Sequence, residues 1–444
     1  RPGRRELIED AAPVIAAVRE QEMTEAMNDL RSLGVDWSEG ADAGASPVSV
    51  EISTDRAGNR GRAGEPFSVK VRVTNNGTHP LFQLRGTTQS DYRLFDDREL
   101  IFGRLNPGQT KEWTATLGVC STEGEGRQER RICRLPRDTP NRADGIRVDF
   151  DELHDHAPES VEIRTEVEAL PRPQFAYSVH VVDDLQGNGD GRLQRGERAS
   201  VFLRVKNVGT GRTYDTHANL RNLSGRGVLL HAGRFRIDNM QPGEERIVRF
   251  SFEVLADFER EEAKLEVSVI DADLRESVSE KLDVPLVSAS GAPSARTGRV
   301  TLRDGAILRA APEAGAHQVG VVRGGSAALT AEATLAGFIR VQVGDEEVAW
   351  VASGDASASG TGGRFAATLD HMPPRVEVDY GNTLVTREGS LTIRGTARDD
   401  TLVRDLYVFA GARKVYYHST AGAADRTSAT FETQIPLHGG MNYI

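Results

Sequence analysis

The chain has 444 residues and a formal net charge of −11, with 66 acidic residues against 55 basic ones. Phosphate recognition needs a basic face, so this balance argues against nucleic-acid binding as the main role. No run of the sequence approaches the ~20 apolar residues that a membrane-spanning helix needs. At roughly 100–150 residues per domain, the length predicts three to five domains.

The only long helical pattern lies at the N-terminus, in residues 4–33, where apolar side chains recur at helical spacing. Pro13 cannot donate to the helical ladder, so we expect it to start a turn or to kink the helix. Gly34 occupies a position that suits a left-handed C-cap. Residues 1–37 are therefore predicted to be the helical tail of an upstream domain, and the chain to be a fragment of a longer protein.

From Ser46 onward the pattern is almost entirely β, with apolar and polar residues alternating. A Gly-Glu pair, a β run, an Asn-x-Gly turn and a Pro-Gly turn follow one another in residues 64–108 and again in residues 196–243. An internal repeat of this size indicates two copies of one module. Short alternating strands predict an antiparallel sandwich for each copy, over residues 46–170 and 171–287.

Two further β-rich units follow. Residues 288–298 and 356–370 have the Ser- and Gly-rich composition of flexible linkers. The segment between them, residues 299–355, is predicted to be a compact unit of short strands. A last alternating pattern predicts a third sandwich over residues 371–444, whose final strands are expected to be cut off or incomplete.

The repeated motifs resemble those of Ig-like modules in bacterial surface and secreted proteins. Residues 299–355 resemble a bacterial SH3-like domain, because Leu308 to Pro312 matches its LRxxP signature and Ala349 to Val351 matches its closing Gly-Trp-Val. Phe338 stands where that family usually has tryptophan. These resemblances imply a mainly β fold with an N-terminal helix, tandem Ig-like antiparallel β-sandwiches, a small SH3-like barrel and a C-terminal Ig-like sandwich.

The N-terminal helix and its Leu33 to Trp37 end resemble the tail of a carboxyl-terminal-processing (tail-specific, Ser/Lys) serine peptidase domain. The catalytic serine and lysine of that family would lie upstream of Arg1, so the resemblance places no catalytic residue here. It implies that these modules are the non-catalytic arm of an exported peptidase, periplasmic or in the cell envelope, which positions a protein or peptide substrate or anchors the enzyme. The alternative is an adhesion or cell-surface protein whose SH3-like unit binds peptidoglycan or peptide.

The sharpest local motif is a candidate calcium loop between the first two strands of the second repeat. With Gln186 as the first position, oxygen-bearing residues and a glycine fall at the third, fifth, sixth and twelfth positions of such a loop. Since glutamine carries no charge, an aspartate just upstream would have to reach in. The candidate Ca²⁺ ligands are Asp183, Asp184, Asn188, Asp190, the Arg192 carbonyl and Glu197.

The other interpretation of this motif is an Asn-, Asp- and Gly-rich hairpin without metal, which turn propensity alone would explain. Glu65, the counterpart of Glu197 in the first repeat, follows a loop that runs from Arg56 to Arg62 and has no carboxylate. Glu197 could therefore simply open a strand.

Cys120 and Cys133 are the only cysteines. A single pair in an all-β chain that is expected to be exported predicts a disulfide closing a hairpin, worth ~3 kcal/mol in the chain-entropy model. The alternative is two reduced thiols. A zinc site is not expected, because two cysteines without paired ligands nearby do not fill four positions.

The remaining candidates carry less information. His154 and His156 could share a strand face and bind a metal, although a solvated loop is the simpler interpretation. Phe338 and Trp350 could line a peptide groove, or could be core residues. The sequence contains no HExxH, nucleophile-elbow or phosphate-loop motif.

Overall fold

The chain folds mainly into antiparallel β-sheets, as the sequence predicts. The computed structural model describes residues 4–124, 130–289, 291–344, 347–357, 361–379, 381 and 385–444. Two compact units divide the chain. Unit 1 comprises Arg1–Leu170, Gly381–Leu391 and Pro436–Ile444, and unit 2 comprises Pro171–Tyr380 and Thr392–Ile435.

Unit 1 begins with helix α1 (Arg4–Ser32), which continues through Pro13. Gly34 ends it with a φ of 78°, and the amide of Val35 donates to the carbonyl of Leu30 at 2.9 Å. This is a Schellman-type cap, so the predicted C-cap is confirmed. None of the helical residues that the structure describes forms a segment both long and apolar enough to cross a membrane.

The first sandwich of unit 1 follows the helix. Its strands are β1 (Val48–Thr54), β2 (Arg60–Arg62), β3 (Phe67–Asn75), β4 (Leu81–Gln89), β5 (Glu99–Leu105), β6 (Thr110–Leu117), β7 (Val119–Glu123), β8 (Arg130–Arg134), β9 (Arg142–Asp151) and β10 (Val161–Glu168). One sheet has the order β1-β3-β6 and the other β2-β10-β9-β4-β5, while β7 and β8 form a separate hairpin. Val69, Val71 and Val73 are fully buried between the sheets, as their alternation predicts.

The second sandwich lies in unit 2. Its strands are β11 (Phe175–Gln186), β12 (Arg198–Asn207), β13 (Thr216–Asn222), β14 (Val228–Ala232), β15 (Arg234–Arg236), β16 (Glu245–Val254), β17 (Glu262–Asp271) and β18 (Glu276–Pro285). They form two four-stranded sheets, β11-β12-β16-β14 and β15-β13-β17-β18. The sheets enclose an apolar core that includes Phe250, Phe252 and Val201.

A buried asparagine explains why the two sandwiches share a sequence motif. Asn75 and Asn207 end equivalent strands and are both fully buried. Each side-chain oxygen accepts the amide two residues ahead, at 3.0 and 3.1 Å. Each Nδ2 donates to the segment that precedes the Pro-Gly turn, through the carbonyls of Leu105 and Met240 at 3.1 Å. The Asn-x-Gly motif therefore ties a strand end to the next connection instead of only permitting a turn.

Unit 2 continues into a third sheet, which we call the small module (residues 294–367). Its strands are β19 (Ser294–Ala295), β20 (Arg299–Leu302), β21 (Ile307–Arg309), β22 (Gln318–Arg323), β23 (Ala327–Leu335), β24 (Phe338–Gln342), β25 (Val348–Ala352), β26 (Ala356–Ser357) and β27 (Arg364–Ala367). The sheet order is β26-β20-β23-β24-β25-β21-β22-β27, and β19 pairs with β23.

The two segments predicted as flexible linkers contribute strands to this sheet, which corrects their assignment. Strand β19 comes from residues 288–298, and strands β26 and β27 come from residues 356–370. An exposed sheet edge offers unpaired N–H and C=O groups, to which a short extended segment can bind whatever its side chains are. The linker prediction, which rested on composition alone, was therefore wrong for the residues of these three strands.

The C-terminal region adds a three-stranded and a two-stranded sheet. Its strands are β28 (Arg375–Asp379), β29 (Ser390–Arg398), β30 (Asp405–Ala410), β31 (Arg413–Ser419) and β32 (Ser428–Pro436). Strand β29 lies between β28 and β32, and β30 pairs with β31.

Candidate functional site

The predicted calcium loop connects β11 to β12, at one end of the second sandwich. Three of its carboxylate side chains are buried, Asp190 with no exposed area, Asp183 at 3% and Glu197 at 7%. Buried carboxylates are costly unless hydrogen bonds or a cation compensate their charge. The loop therefore needs groups that compensate three buried carboxylates.

Backbone amides of the loop supply part of this compensation. Gly191 donates to Asp183 Oδ1 at 2.9 Å. Glu197 accepts the amides of Asn188 and Gln194 through its two oxygens, at 3.1 and 2.8 Å. These bonds fold the loop around its own carboxylates, so Glu197 does more than open a strand.

Asp183 is the least compensated of these carboxylates. Its Oδ2 atom is buried and has no hydrogen-bond partner in the described part of the chain. The pKa of its carboxyl is raised to about 7, chiefly by burial and further by the neighbouring carboxylates of Asp190 and Glu197. The Arg340 guanidinium opposes this shift, but it pairs with Glu332 at 3.4 Å.

The other predicted ligands have different surroundings. Asp184 forms an ion pair with Arg249 at 3.0 Å, so it is engaged by a cation of the protein. The Asn188 side-chain oxygen accepts the amide of Asp190 at 2.8 Å, and the Arg192 carbonyl accepts a bond from Gln194 at 3.1 Å. Across the described residues, no three His, Cys, Asp or Glu side chains already converge as a metal site would require.

The loop packs against the small module within unit 2. A Cβ on Gly191, whose φ is 78°, would lie 3.0 Å from Trp350 Nε1 and 2.9 Å from Pro312 Cδ. Arg192 forms an ion pair with Glu313 at 2.8 Å. A glycine is required at the sixth loop position both for its backbone conformation and because a tryptophan covers it.

Trp350 is only 1% exposed, so it is placed as a packing residue and offers no surface to a peptide in this structure. Phe338 is partly exposed and borders a shallow depression with Leu335, Ala292 and Ser353. A ligand-binding role for Phe338 stays a prediction.

A buried ion pair that the sequence analysis missed lies where the second sandwich meets the small module. Arg204 on β12 donates to Glu347 Oε2 at 2.6 Å, and the two side chains are 9% and 1% exposed. His180 Nε2 lies 3.6 Å from the other Glu347 oxygen. Burial lowers the pKa of His180 to about 3 and raises that of Glu347, so the histidine is neutral and Arg204 carries the compensating charge.

A second contact joins the second sandwich to the segment after the small module. The rings of Tyr177 and His371 stack with centroids 4.6 Å apart, and their backbones exchange two hydrogen bonds of 3.0 Å. His371 also pairs with Glu280 at 3.0 Å. The segment that follows the small module is therefore also attached to the second sandwich.

In unit 1 the predicted disulfide between Cys120 and Cys133 is confirmed. The two residues face each other across the β7–β8 hairpin. Thr116 on the neighbouring strand donates to the Cys133 sulfur at 3.3 Å. The bond therefore closes a hairpin, as the cysteine count predicts.

The two histidines of the acidic stretch contact the segment between α1 and the first sandwich. His154 Nε2 lies 2.8 Å from the Gly40 carbonyl, and His156 Nε2 lies 2.9 Å from Asp42 Oδ1. Buried Glu152 accepts the backbone amides of both histidines, at 2.7 and 3.2 Å. The solvated-loop interpretation was therefore wrong in part, because these rings hold a neighbouring segment in place.

Comparison with known proteins adds little to this geometry. No protein-family model matches the chain, and no curated protein matches it. Among solved structures, red sea bream transglutaminase is similar over 54% of this chain and 31% of its own length, at 15% identity and a TM-score of 0.20. The YadV chaperone is similar over 53% of this chain and 99% of its own length, at 14% identity and a TM-score of 0.17. The chain thus spans about a third of the first of these proteins.

Proposed function

We propose that this chain is the non-catalytic part of an exported bacterial peptidase of the carboxyl-terminal-processing type. In that role it positions a polypeptide substrate for the enzyme or anchors the enzyme in the cell envelope. The observation that carries this proposal is the joint formed by Arg204 and Glu347. This buried ion pair is costly to break, because Glu347 would be left buried without its cationic partner, while Arg204 would keep its second partner, Glu245. Such a buried ion pair is suited to an accessory region that must hold the second sandwich and the small module in a fixed arrangement.

The disulfide supports an exported location. Disulfides persist in oxidising compartments and are rare in reducing ones. Cys120 and Cys133 are bonded to each other in unit 1. This is the expected chemistry for a periplasmic, envelope or extracellular protein.

One observation favours the alternative of a cell-surface binding protein. Phe338 stays partly exposed at the edge of the small module, in a depression with Leu335 and Ser353. An exposed aromatic beside a shallow groove is a suitable contact for a peptide or a cell-wall fragment.

Binding assays on the full chain distinguish these roles. A fluorescently labelled, permanently unfolded protein should bind saturably and remain uncut, while isolated peptidoglycan sacculi should not co-sediment with the chain. Co-sedimentation that Phe338→Ala abolishes would establish the alternative. Phe409→Ala is the matched control, because Phe409 is 45% exposed and lies outside the small module. Cleavage that depends on one serine of this chain would contradict both roles.

A further inference from the structure

We propose that the β11–β12 loop binds a calcium ion through Asp183, Asp190 and Glu197, and that the bound ion fixes the loop against the small module. The proposal goes beyond the accessory role and does not depend on it, since a chain that binds no polypeptide could still bind the ion. It also chooses between the two upstream aspartates that the sequence offers, because it assigns Asp183 and not Asp184 as a ligand.

The charge balance of the loop is the first argument. Asp183 and Glu197 are buried, yet no Lys or Arg in the described part of the chain forms an ion pair with either of them. Asp183 Oδ2 is left without any partner. Burying a carboxylate oxygen without a hydrogen bond or a cation is strongly unfavourable. A divalent cation is the group that would compensate both the orphaned oxygen and the excess negative charge.

The chemistry of the available groups selects calcium. The loop offers carboxylates together with the side-chain oxygen of Asn188 and the carbonyl of Arg192, all of them hard oxygen ligands, and no sulfur or imidazole. Ca²⁺ accepts six to eight oxygens in flexible geometry, whereas Mg²⁺ requires a nearly ideal octahedron. The carboxylates do not yet converge, so the ion would have to draw them together, which a larger and less demanding cation does more easily.

Asp184 provides the contrast that makes the assignment specific. Its Oδ1 atom is also buried without a hydrogen-bond partner among the described residues. Its other oxygen, however, pairs with Arg249 at 3.0 Å, so the charge of Asp184 is already neutralised by the protein. An ion at this loop should therefore depend on Asp183 and not on Asp184. The two residues are a matched pair, because Asp→Asn removes the same charge from the same stretch of chain in both.

The position of Trp350 supplies a direct test of location. Its Nε1 atom lies 3.0 Å from where a Gly191 Cβ would be, so an ion in the loop would be close to an indole. Tb³⁺ resembles Ca²⁺ in size and ligand preference, and it luminesces when a nearby tryptophan is excited. Trp350 belongs to the same unit as the loop, whereas Trp37 and Trp113 belong to unit 1.

The experiment uses the full chain after treatment with a chelator, titrated with Tb³⁺ under tryptophan excitation. We expect luminescence that Ca²⁺ quenches by competition and that Mg²⁺ at the same concentration leaves unchanged. Asp183→Asn should weaken Tb³⁺ binding by about tenfold or more, while Asp184→Asn should leave it within about twofold. Trp350→Phe should abolish the luminescence and leave the effect of Ca²⁺ on the melting temperature intact.

Three results would overturn the proposal. The first is wild-type protein that shows neither Tb³⁺ luminescence nor a Ca²⁺-dependent melting temperature. The second is luminescence that survives Asp183→Asn unchanged. The third is loss of binding in Asp184→Asn alone, which would assign the ion to the other side of the strand. If Asp183→Asn fails to fold, Glu197→Gln tests the same ligand set.

Discussion

The two sandwiches are copies of one module, but they compensate the charge of the glutamate before their second long strand in different ways. In the first, Glu65 is 42% exposed and pairs with Arg56 at 3.2 Å, inside a loop rich in arginine. In the second, its counterpart Glu197 is buried and accepts only backbone amides. The repeat therefore preserves the fold without preserving the charge balance. In the described part of the chain, the glutamate at this position has an ion-pair partner in the first copy and none in the second.

An arginine on the outer face of each sandwich also differs in exposure and in its ion pairs. Arg72 and Arg204 occupy equivalent positions one residue before a buried valine. Arg72 is 53% exposed and pairs with Glu112 at 3.1 Å. Arg204 is 9% exposed and pairs both with Glu245 and with the buried Glu347. In the second sandwich the small module covers this arginine through Glu347. The arginine at this position is therefore a surface residue in the first copy, and in the second it forms a buried ion pair with the small module.

Removing these two arginines should give the largest contrast. Arg204→Ala leaves Glu347 buried without its partner, and we expect a loss of ~3–5 kcal/mol in the free energy of unfolding. Arg72→Ala removes an exposed ion pair and should cost no more than ~1 kcal/mol. Urea unfolding of both variants checks the prediction, and equal losses would show that the small module does not enclose Arg204.

Reducing the disulfide should destabilise unit 1 by a similar amount. Opening the Cys120–Cys133 hairpin releases chain entropy worth ~3 kcal/mol in the unfolded state. We expect Cys120→Ser with Cys133→Ser to shift the unfolding transition reported by Trp113 in β6, and to leave the response of the loop to Ca²⁺ unchanged. A calcium response that disappears with the disulfide would show that the two copies are not stabilised independently.

Adding a methyl group to a left-handed glycine of each loop should separate backbone strain from contact with the small module. Gly58 has a φ of 64° and Gly191 one of 78°, so alanine is strained at both. A Cβ on Gly58 meets nothing within 4 Å, whereas one on Gly191 meets Trp350 and Pro312.

Gly58→Ala should therefore cost ~1 kcal/mol, and Gly191→Ala should approach ~3 kcal/mol. Thermal melts of the two variants without added metal make the comparison. Equal costs would mean that the small module yields to the added methyl group.

The smallest expected effect is a pH dependence in unit 2. His317 pairs with Asp370 at 3.1 Å, and this hydrogen bond raises the pKa of His317 above its usual 6.5. Stability from the pair is complete below pH 6.5 and is lost as the pH rises through the folded-state pKa. The pair is partly exposed, so the loss should stay within ~1 kcal/mol. Melting curves of wild type and His317→Gln, recorded from acid to alkaline pH, should converge as the pH rises, and a constant gap would contradict the assignment.

Local features could be predicted from the sequence, and contacts between distant segments could not. The alternation of Val69, Val71 and Val73 and the isolated cysteine pair each depend on a few neighbouring residues. The burial of Arg204 depends on Glu347, which lies 143 residues away. No local pattern distinguishes it from exposed Arg72.

The calcium motif left one ligand undecided for the same reason. Its spacing identified the loop and Glu197, but spacing cannot show which upstream aspartate the fold turns inward. Asp183 faces the other loop carboxylates, and Asp184 faces Arg249. In the sequence analysis the repeat counted against a metal site, because the first copy has arginines and no carboxylate in this loop. In the structure Glu65 pairs with Arg56 and Glu197 is buried.

Isothermal titration calorimetry of the chelator-treated full chain with Ca²⁺ tests the central claim most directly, namely that the second copy alone needs an added cation. We expect a single binding event with a stoichiometry of one, stabilising the protein by ~2.7 kcal/mol at a hundredfold excess of calcium over Kd. Asp183→Asn should abolish it, and Glu65→Gln should leave it unchanged. No binding to the wild type, or binding that Glu65→Gln removes, would contradict the account.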